Sequence, residues 1–186
     1  MYEYKTQPFE HQRKALAQGA DRKAFAYLME MGTGKTKVTL DNAAYLYLGQ
    51  KINLMVVVAP NSVYQNWKDE ISLHCPCDTN VFTYKIDKYF KYVEDKLNVV
   101  LMNVEAFSHK SGVTYLEDIL KSYGDRSMMI IDESTTIKNR TAKRTKALIR
   151  LGKMTKYRRI LTGSPITKSP LDLFSQFQFL GTDLLG

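Results

Sequence analysis

A lysine, a threonine and two adjacent acids carry the chemistry this sequence can offer. Lys35 and Thr36 close the run Gly32-Thr33-Gly34-Lys35-Thr36, and Asp132 and Glu133 stand far downstream at the end of the apolar run SMMIID. Two glycines let a backbone turn tightly with no Cβ in the way, so its N–H groups can converge on phosphate oxygens. A helix starting near Lys35 would add free N–H groups and the positive end of its dipole. Lys35 can then reach the β- and γ-phosphates of a nucleotide, and the Thr36 hydroxyl can ligate Mg²⁺. Gly32, Thr33 and Gly34 complete the candidate cradle. The full phosphate-loop pattern asks for a small residue at position 29, where this chain has Met29. Asp132 can hold the same Mg²⁺ through water, opposite Thr36, while Glu133 orients and polarises a water that attacks the γ-phosphate. The plain alternatives are a surface turn with an ordinary lysine and a strand ending in two solvated acids.

This chemistry needs elements that bring the two motifs together. Apolar runs read as strands at Ala24–Met29, Asn53–Ala59, Val81–Tyr84, Leu97–Met102, Ser127–Asp132 and Tyr157–Leu161. Several are continuous rather than alternating, as expected of strands covered on both faces. Between them, apolar spacing and end signals predict helices over Phe9–Gly19, Lys35–Leu48 (stopped by Gly49), Ser62–Leu73, Lys85–Asp95, Tyr115–Tyr123, Arg140–Met154 and Pro170–Leu180, with a helical turn at Val104–Phe107. Strands alternating with helices imply an α/β fold around a mostly parallel sheet of about six or seven strands. Residues 1–186 carry no repeat or linker and read as one domain.

Composition narrows the class. The chain has 186 residues, 44% hydrophobic and 25% charged, with no apolar run long enough for a membrane span and no apolar segment of signal-peptide type at its start. A cytoplasmic protein with no membrane partner is the expectation. Cys75 and Cys77 are too close in sequence to suit a disulfide and read as reduced thiols, and His74-Cys75-Pro76-Cys77 lacks a fourth zinc ligand. The net charge of +8 points to a polyanionic partner. No acid lies between Glu133 and Asp172, whereas Lys138, Arg140, Lys143, Arg144, Lys146, Arg150, Lys153, Lys156, Arg158, Arg159 and Lys168 all do. Such a one-signed run is the footprint of nucleic-acid contact.

In parallel sheets ligands bind at the carboxyl ends of the strands. Four polar loops fall there: Gly32–Thr36, Pro60-Asn61-Ser62, Asp132-Glu133-Ser134 and Thr162-Gly163-Ser164-Pro165. In this order the chain resembles the first RecA-like domain of a superfamily 2 helicase or translocase, most of all the Swi/Snf type. PFEHQRKAL resembles the glutamine motif, MGTGKT the phosphate loop, and VVVAPNSVYQNWKDEI and VVLMNVEAF two nucleic-acid motifs. IIDESTTIKNRTAKRTKAL resembles the aspartate–glutamate motif, RRILTGSPI the motif coupling ATP state to nucleic acid, and PLDLFSQFQFL the segment after it.

The resemblance implies an ATP-binding lobe of a DNA-dependent ATPase that moves on or remodels duplex DNA, with ATP and Mg²⁺ as cofactors. A restriction or repair helicase lobe, or a nucleotide- or nucleic-acid-binding module without turnover, is the alternative. It makes Gln12 the adenine reader, Thr162 and Ser164 the coupling residues, and Asn61, Ser62, Gln65, Asn103 and Glu105–Phe107 contacts to the nucleic-acid backbone. Lys138, Arg140, Lys143 and Arg144 are a third group of contacts. It also implies a second RecA-like domain supplying arginine fingers, which these residues do not contain, so the 186-residue chain alone is expected to bind ATP weakly and hydrolyse it slowly. The chain departs from the pattern at Thr135, where many relatives have His or Gln, and at Ser164, where Thr is more frequent. Trp67 reads as a core residue rather than a stacking platform, and Tyr84, Tyr89 and Tyr92 read as packing residues.

Overall fold

The computed structural model describes residues 2–165 and 172–181. Its framework follows from the apolar runs. Strands β2 (Leu54–Ala59) and β5 (Ser127–Asp132) are buried at every position, and β4 (Leu97–Asn103) at all but its last. A strand with no polar face needs helices on both sides, and only parallel crossovers supply them. With β1 (Ala24–Leu28), β3 (Thr79–Thr83) and β6 (Tyr157–Thr162) they form one six-stranded sheet in the order β1-β6-β5-β2-β4-β3. All five pairings are parallel.

Alternate residues of the central strands feed two cores. Met55, Val57 and Leu101 face one that includes Leu40 and Leu46 of α2 (Lys35–Leu48) and Trp67 of α3 (Tyr64–His74), with Leu16 of α1 (Glu10–Gly19) at its margin. Leu54, Val56 and Val58 face the other, with Leu116 of α4 (Lys110–Tyr123), Leu148 of α5 (Lys143–Gly152) and Phe179 of α6 (Asp172–Leu180). Each such side chain contributes about 1.5–3 kcal/mol on burial.

Most predicted elements stand within a few residues of their expected bounds; three differ. Residues 85–95 are not helical. Lys85 has a φ of 64°, and Asp87 accepts the Thr83 N–H through its side chain at 2.6 Å. Asn98 then bonds both the N–H and the carbonyl of Val93, so side chains replace the bonds a helix would make. Tyr92 stacks on Tyr123 and Tyr84 meets Tyr115, as packing residues should, but Tyr89 is exposed. Helix α4 begins at Lys110, earlier than predicted, because Gly112 has no side chain to strike the Ala106 carbonyl, which an added Cβ would approach to 2.4 Å. Helix α5 begins at Lys143 rather than Arg140. The start of the predicted Pro170–Leu180 helix, like Lys168, lies outside the described residues.

Candidate functional site

The strand order sets the site. β6 separates β1 from β5, with Leu28 paired to Thr162 and Asp132 paired to Leu161. The loop after β1, the Thr162–Ser164 loop and the Asp132-Glu133 pair therefore leave the sheet side by side.

The candidate phosphate loop has the conformation its glycines permit. Gly32 and Gly34 have φ values of 78° and 87°, and a Cβ on Gly32 would meet nothing within 4 Å, so the loop is open on that side. Gly34 caps α2 without a side-chain bond, and the first backbone bond runs from the Val38 N–H to the Gly34 carbonyl. The N–H groups of Lys35, Thr36 and Lys37 thus project from the helix end, as an anion site requires. The Lys35 ammonium rests on the Met29 and Glu30 carbonyls at 3.1 and 3.2 Å. Met29, the departure at the loop's first position, packs against the first core and supplies one of those carbonyls. An open glycine turn, a helix end with free donors, a lysine and a hydroxyl fit a triphosphate.

The two acids differ in environment. Asp132 is buried; its Oδ1 accepts the Glu133 N–H at 2.9 Å and its Oδ2 accepts the Trp67 indole N–H at 2.8 Å. Burial pushes its carboxyl above the usual range, while the Trp67 bond, the Glu133 N–H and the Lys35 ammonium pull it back. Glu133 is half-buried and raised first by burial and then by Asp132, with Lys35 opposing. The Lys35 ammonium lowers both carboxyls, and the loop that carries it leaves the sheet with one strand, β6, between it and the acid pair. Glu133 also has φ 48° and ψ 61°, a left-handed conformation costing a non-glycine residue about 1–2 kcal/mol. The strain turns its side chain into a cleft of ≈ 380 Å³ shared with Glu30, Met31, Thr135, Thr162, Gly163 and Ser164. Thr162 is buried and its Oγ1 accepts the Ser164 N–H at 3.2 Å. A Cβ on Gly163 would stand 3.3 Å from the Met31 nitrogen, so the two loops touch backbone to backbone.

Gln12 is buried against the phosphate loop: its Oε1 accepts the Phe9 N–H at 2.9 Å and its Nε2 donates to the Thr33 carbonyl at 3.0 Å. It braces the loop, a role the sequence did not announce.

A second cluster forms at the ends of β2, β4 and β3. Asn61 and Asn103 line a ≈ 260 Å³ cleft with Tyr84, Lys85, Glu105 and His109. Asn103 caps the helical turn Val104–Ser108 by accepting the Glu105 N–H at 2.8 Å. Gln65, at the start of α3, is exposed and bonded to Asp69. The Ser62 side chain lies outside what the structure describes. Ala106 and Phe107, read as contacts from sequence, are buried in the second core instead.

The basic run does not act as one surface. Arg159 is wholly buried, its guanidinium bonded to Asn42 Oδ1 at 2.9 Å and to the Gly19 carbonyl at 3.0 Å. Counting it as a surface cation is corrected: it ties β6 to α1 and α2. Arg150 pairs with Glu117 and Arg144 with Glu105. Arg140 lies over the Phe174 ring, and Lys143 is exposed. Lys138 is half-buried, with its carbonyl held by Ser175. The Cys75 and Cys77 sulfurs are 3.6 Å apart as free thiols, and among the described residues no group of His, Cys, Asp and Glu could hold a metal ion by itself. Among them, too, no helix is long and apolar enough to cross a membrane.

A parallel sheet with a glycine turn and an acid pair at the ends of two strands flanking a third is the arrangement of a RecA-like domain. The sequence profile of the SNF2-related domain matches residues 26–186, so the chain belongs to that family. Over 81% of its length it is 31% identical to the Xenopus tropicalis "SWI/SNF-related matrix-associated actin-dependent regulator of chromatin subfamily A containing DEAD/H box 1", covering 15% of that protein. It is 33% identical, over the same share, to the Arabidopsis thaliana "ISWI chromatin-remodeling complex ATPase CHR11", covering 14% of it. The Sulfolobus solfataricus SWI2/SNF2 ATPase core, solved in complex with dsDNA, superposes with a TM-score of 0.81 at 27% identity, over 100% of this chain and 38% of that one. The chain thus spans about a seventh of these two curated relatives.

Proposed function

We propose that this chain is the ATP-binding lobe of a DNA-dependent ATPase, coupling Mg-ATP hydrolysis to movement on, or remodelling of, duplex DNA. The observation that supports the reading is that the glycine turn bearing Lys35 and the Asp132-Glu133 pair leave the same sheet edge on either side of β6, with the Lys35 charge lowering both acids. Lys35 and the free N–H groups at the start of α2 hold the β- and γ-phosphates, and Gln12 keeps the loop in shape or reads the adenine. Thr36 and Asp132 are the residues that would hold Mg²⁺, which when bound offsets charge on the phosphates. Glu133 accepts a proton from the attacking water. Gly163 meets the loop after β1 backbone to backbone, and Thr162 and Ser164 couple to it, with Thr135 lining the same cleft.

Asn61, Ser62, Gln65 and Asn103 take the DNA backbone at the neighbouring edge, with Lys138, Arg140, Lys143 and Arg144 as outer contacts. Such contacts position a strand without reading its sequence. A second RecA-like lobe supplies the arginine finger, a contribution of about 10³–10⁵ in rate in related phosphoryl-transfer enzymes. A polypeptide of these 186 residues should therefore turn over ATP very slowly, with or without duplex. A steady-state ATPase assay tests this, and brisk DNA-stimulated turnover by the lobe alone would contradict it.

A further inference from the structure

The two clusters sit on different strands, and one helix that begins beside the second sends a side chain to the first. Helix α3 runs on directly from the Asn61–Val63 turn, so its first turn presents Gln65 at the edge assigned to nucleic acid. Two residues on, Trp67 points the other way, is wholly buried, and delivers its indole N–H to Oδ2 of Asp132 at 2.8 Å, across the boundary between β2 and β5.

A core position filled for bulk alone would be served by Phe or Leu. An indole brings a donor that must be satisfied when buried. Here its acceptor is the carboxylate assigned to the metal. Asp132 has one donor on each oxygen, Trp67 on Oδ2 and the Glu133 N–H on Oδ1, so its rotation is fixed by two elements at once. One of these is the backbone of the strained Glu133. The other is the helix that begins at the nucleic-acid edge.

We infer that Trp67 is a positioning residue: it sets the orientation of the Asp132 carboxylate and ties that orientation to the placement of the Asn61–Gln65 turn. A shift of that turn, as by a seated DNA backbone, moves the donor on Oδ2 and so the aim of the carboxylate. This rests on the proposed Mg-nucleotide site. Partners that orient metal ligands in this way typically matter by about 10–100-fold in metal affinity.

The chain's single tryptophan allows a direct test. In the ¹⁵N-labelled protein its one indole N–H resonance should be slow to exchange with water. It should shift when Mg²⁺ is added to the ATP-saturated chain, and shift again when a short duplex is added. In parallel, binding of a fluorescent ATP analogue is measured with Mg²⁺ and with chelator, for the parent and for Trp67→Phe, which keeps an aromatic ring and loses the N–H. The expected result is an apparent Mg²⁺ affinity about 10–100-fold weaker in Trp67→Phe, with affinity in chelator changed far less. A general loosening of the fold would lower both.

If the parent binds nucleotide more tightly with Mg²⁺ and Trp67→Phe keeps that gain, the inference fails and the nucleotide site stands. If the parent's indole resonance ignores Mg²⁺ while nucleotide binding depends on it, the inference fails whether or not the variant folds. If the parent shows no Mg²⁺-dependent nucleotide binding, the proposed site itself falls, and the inference with it.

Discussion

The two halves of the sheet's carboxyl edge are built by opposite means. Around β1, β6 and β5 the shape is made by backbone: left-handed Gly32, Gly34 and Glu133, and Gly163 against the loop after β1. Around β2, β4 and β3 it is made mostly by side chains: Asn103 capping a turn, Gln65 on Asp69, and Glu105 on Arg144, with left-handed Lys85 the backbone exception. Backbone geometry is fixed by few residues and fails sharply when they change, which suits the proposed nucleotide site, where groups must aim at one phosphorus atom. Side-chain contacts on exposed residues are individually weak and exchangeable, which suits the proposed contacts to a repeating nucleic-acid backbone.

Substitutions should separate the halves. The largest effect belongs to Glu133→Gln in the lobe joined to the proposed second RecA-like lobe. Single-turnover hydrolysis should fall by about 10²–10⁴-fold, the usual weight of a general base, with MgATP affinity unchanged. Hydrolysis at the parent rate would remove Glu133 from the chemistry. Next is Gly163→Ala, whose Cβ would press on the Met31 nitrogen from 3.3 Å. Overpacking of this kind costs about 1–3 kcal/mol, so nucleotide affinity should drop while duplex affinity, read by fluorescence anisotropy, does not. Loss of both affinities together would show that the halves are not separable.

The mirror experiment is Asn61→Ala with Asn103→Ala. At about 1 kcal/mol for each hydrogen bond, duplex affinity should fall roughly 30-fold and MgATP affinity should hold. Lys143→Ala should instead flatten the salt dependence of duplex binding by about 0.9 in log–log slope, if the residue meets one phosphate. An unchanged slope would leave Lys143 as a solvated cation.

The smallest effect concerns Arg150. It holds the Glu117 carboxyl below its ordinary value of 4.5. A depressed acid contributes stability above its unfolded pKa and loses it as pH falls through its folded one. Arg150→Ala should therefore lower the melting temperature slightly at pH 7, and the difference should vanish once the pH is below the folded pKa of Glu117. A difference that persists in acid would place Arg150's role in packing.

Much of this was legible in the sequence because strands buried on both faces must be written as unbroken apolar runs, and the loop after each run must lie on one edge. The four strand-end loops could be named on that ground. The features that escaped depend on partners distant in sequence. Arg159 looks like its basic neighbours until Asn42 and Gly19 come to meet it. Residues 85–95 have helical spacing, yet Asp87 and Asn98 offer the backbone other partners. Trp67 was readable as core, but its acceptor, 65 residues on, was not.

The central claim is that Lys35, Thr36, Asp132 and Glu133 act on one Mg-nucleotide, and calorimetry of ATP binding tests it most directly. The parent chain should bind ATP more tightly with Mg²⁺ than without. Lys35→Ala should weaken both titrations by about 10–100-fold, since a hydrogen bond to a charged group is worth roughly 1.5–3 kcal/mol. Asp132→Asn should abolish only the gain from Mg²⁺. Parent-like binding by both variants, with and without the metal, would contradict the account.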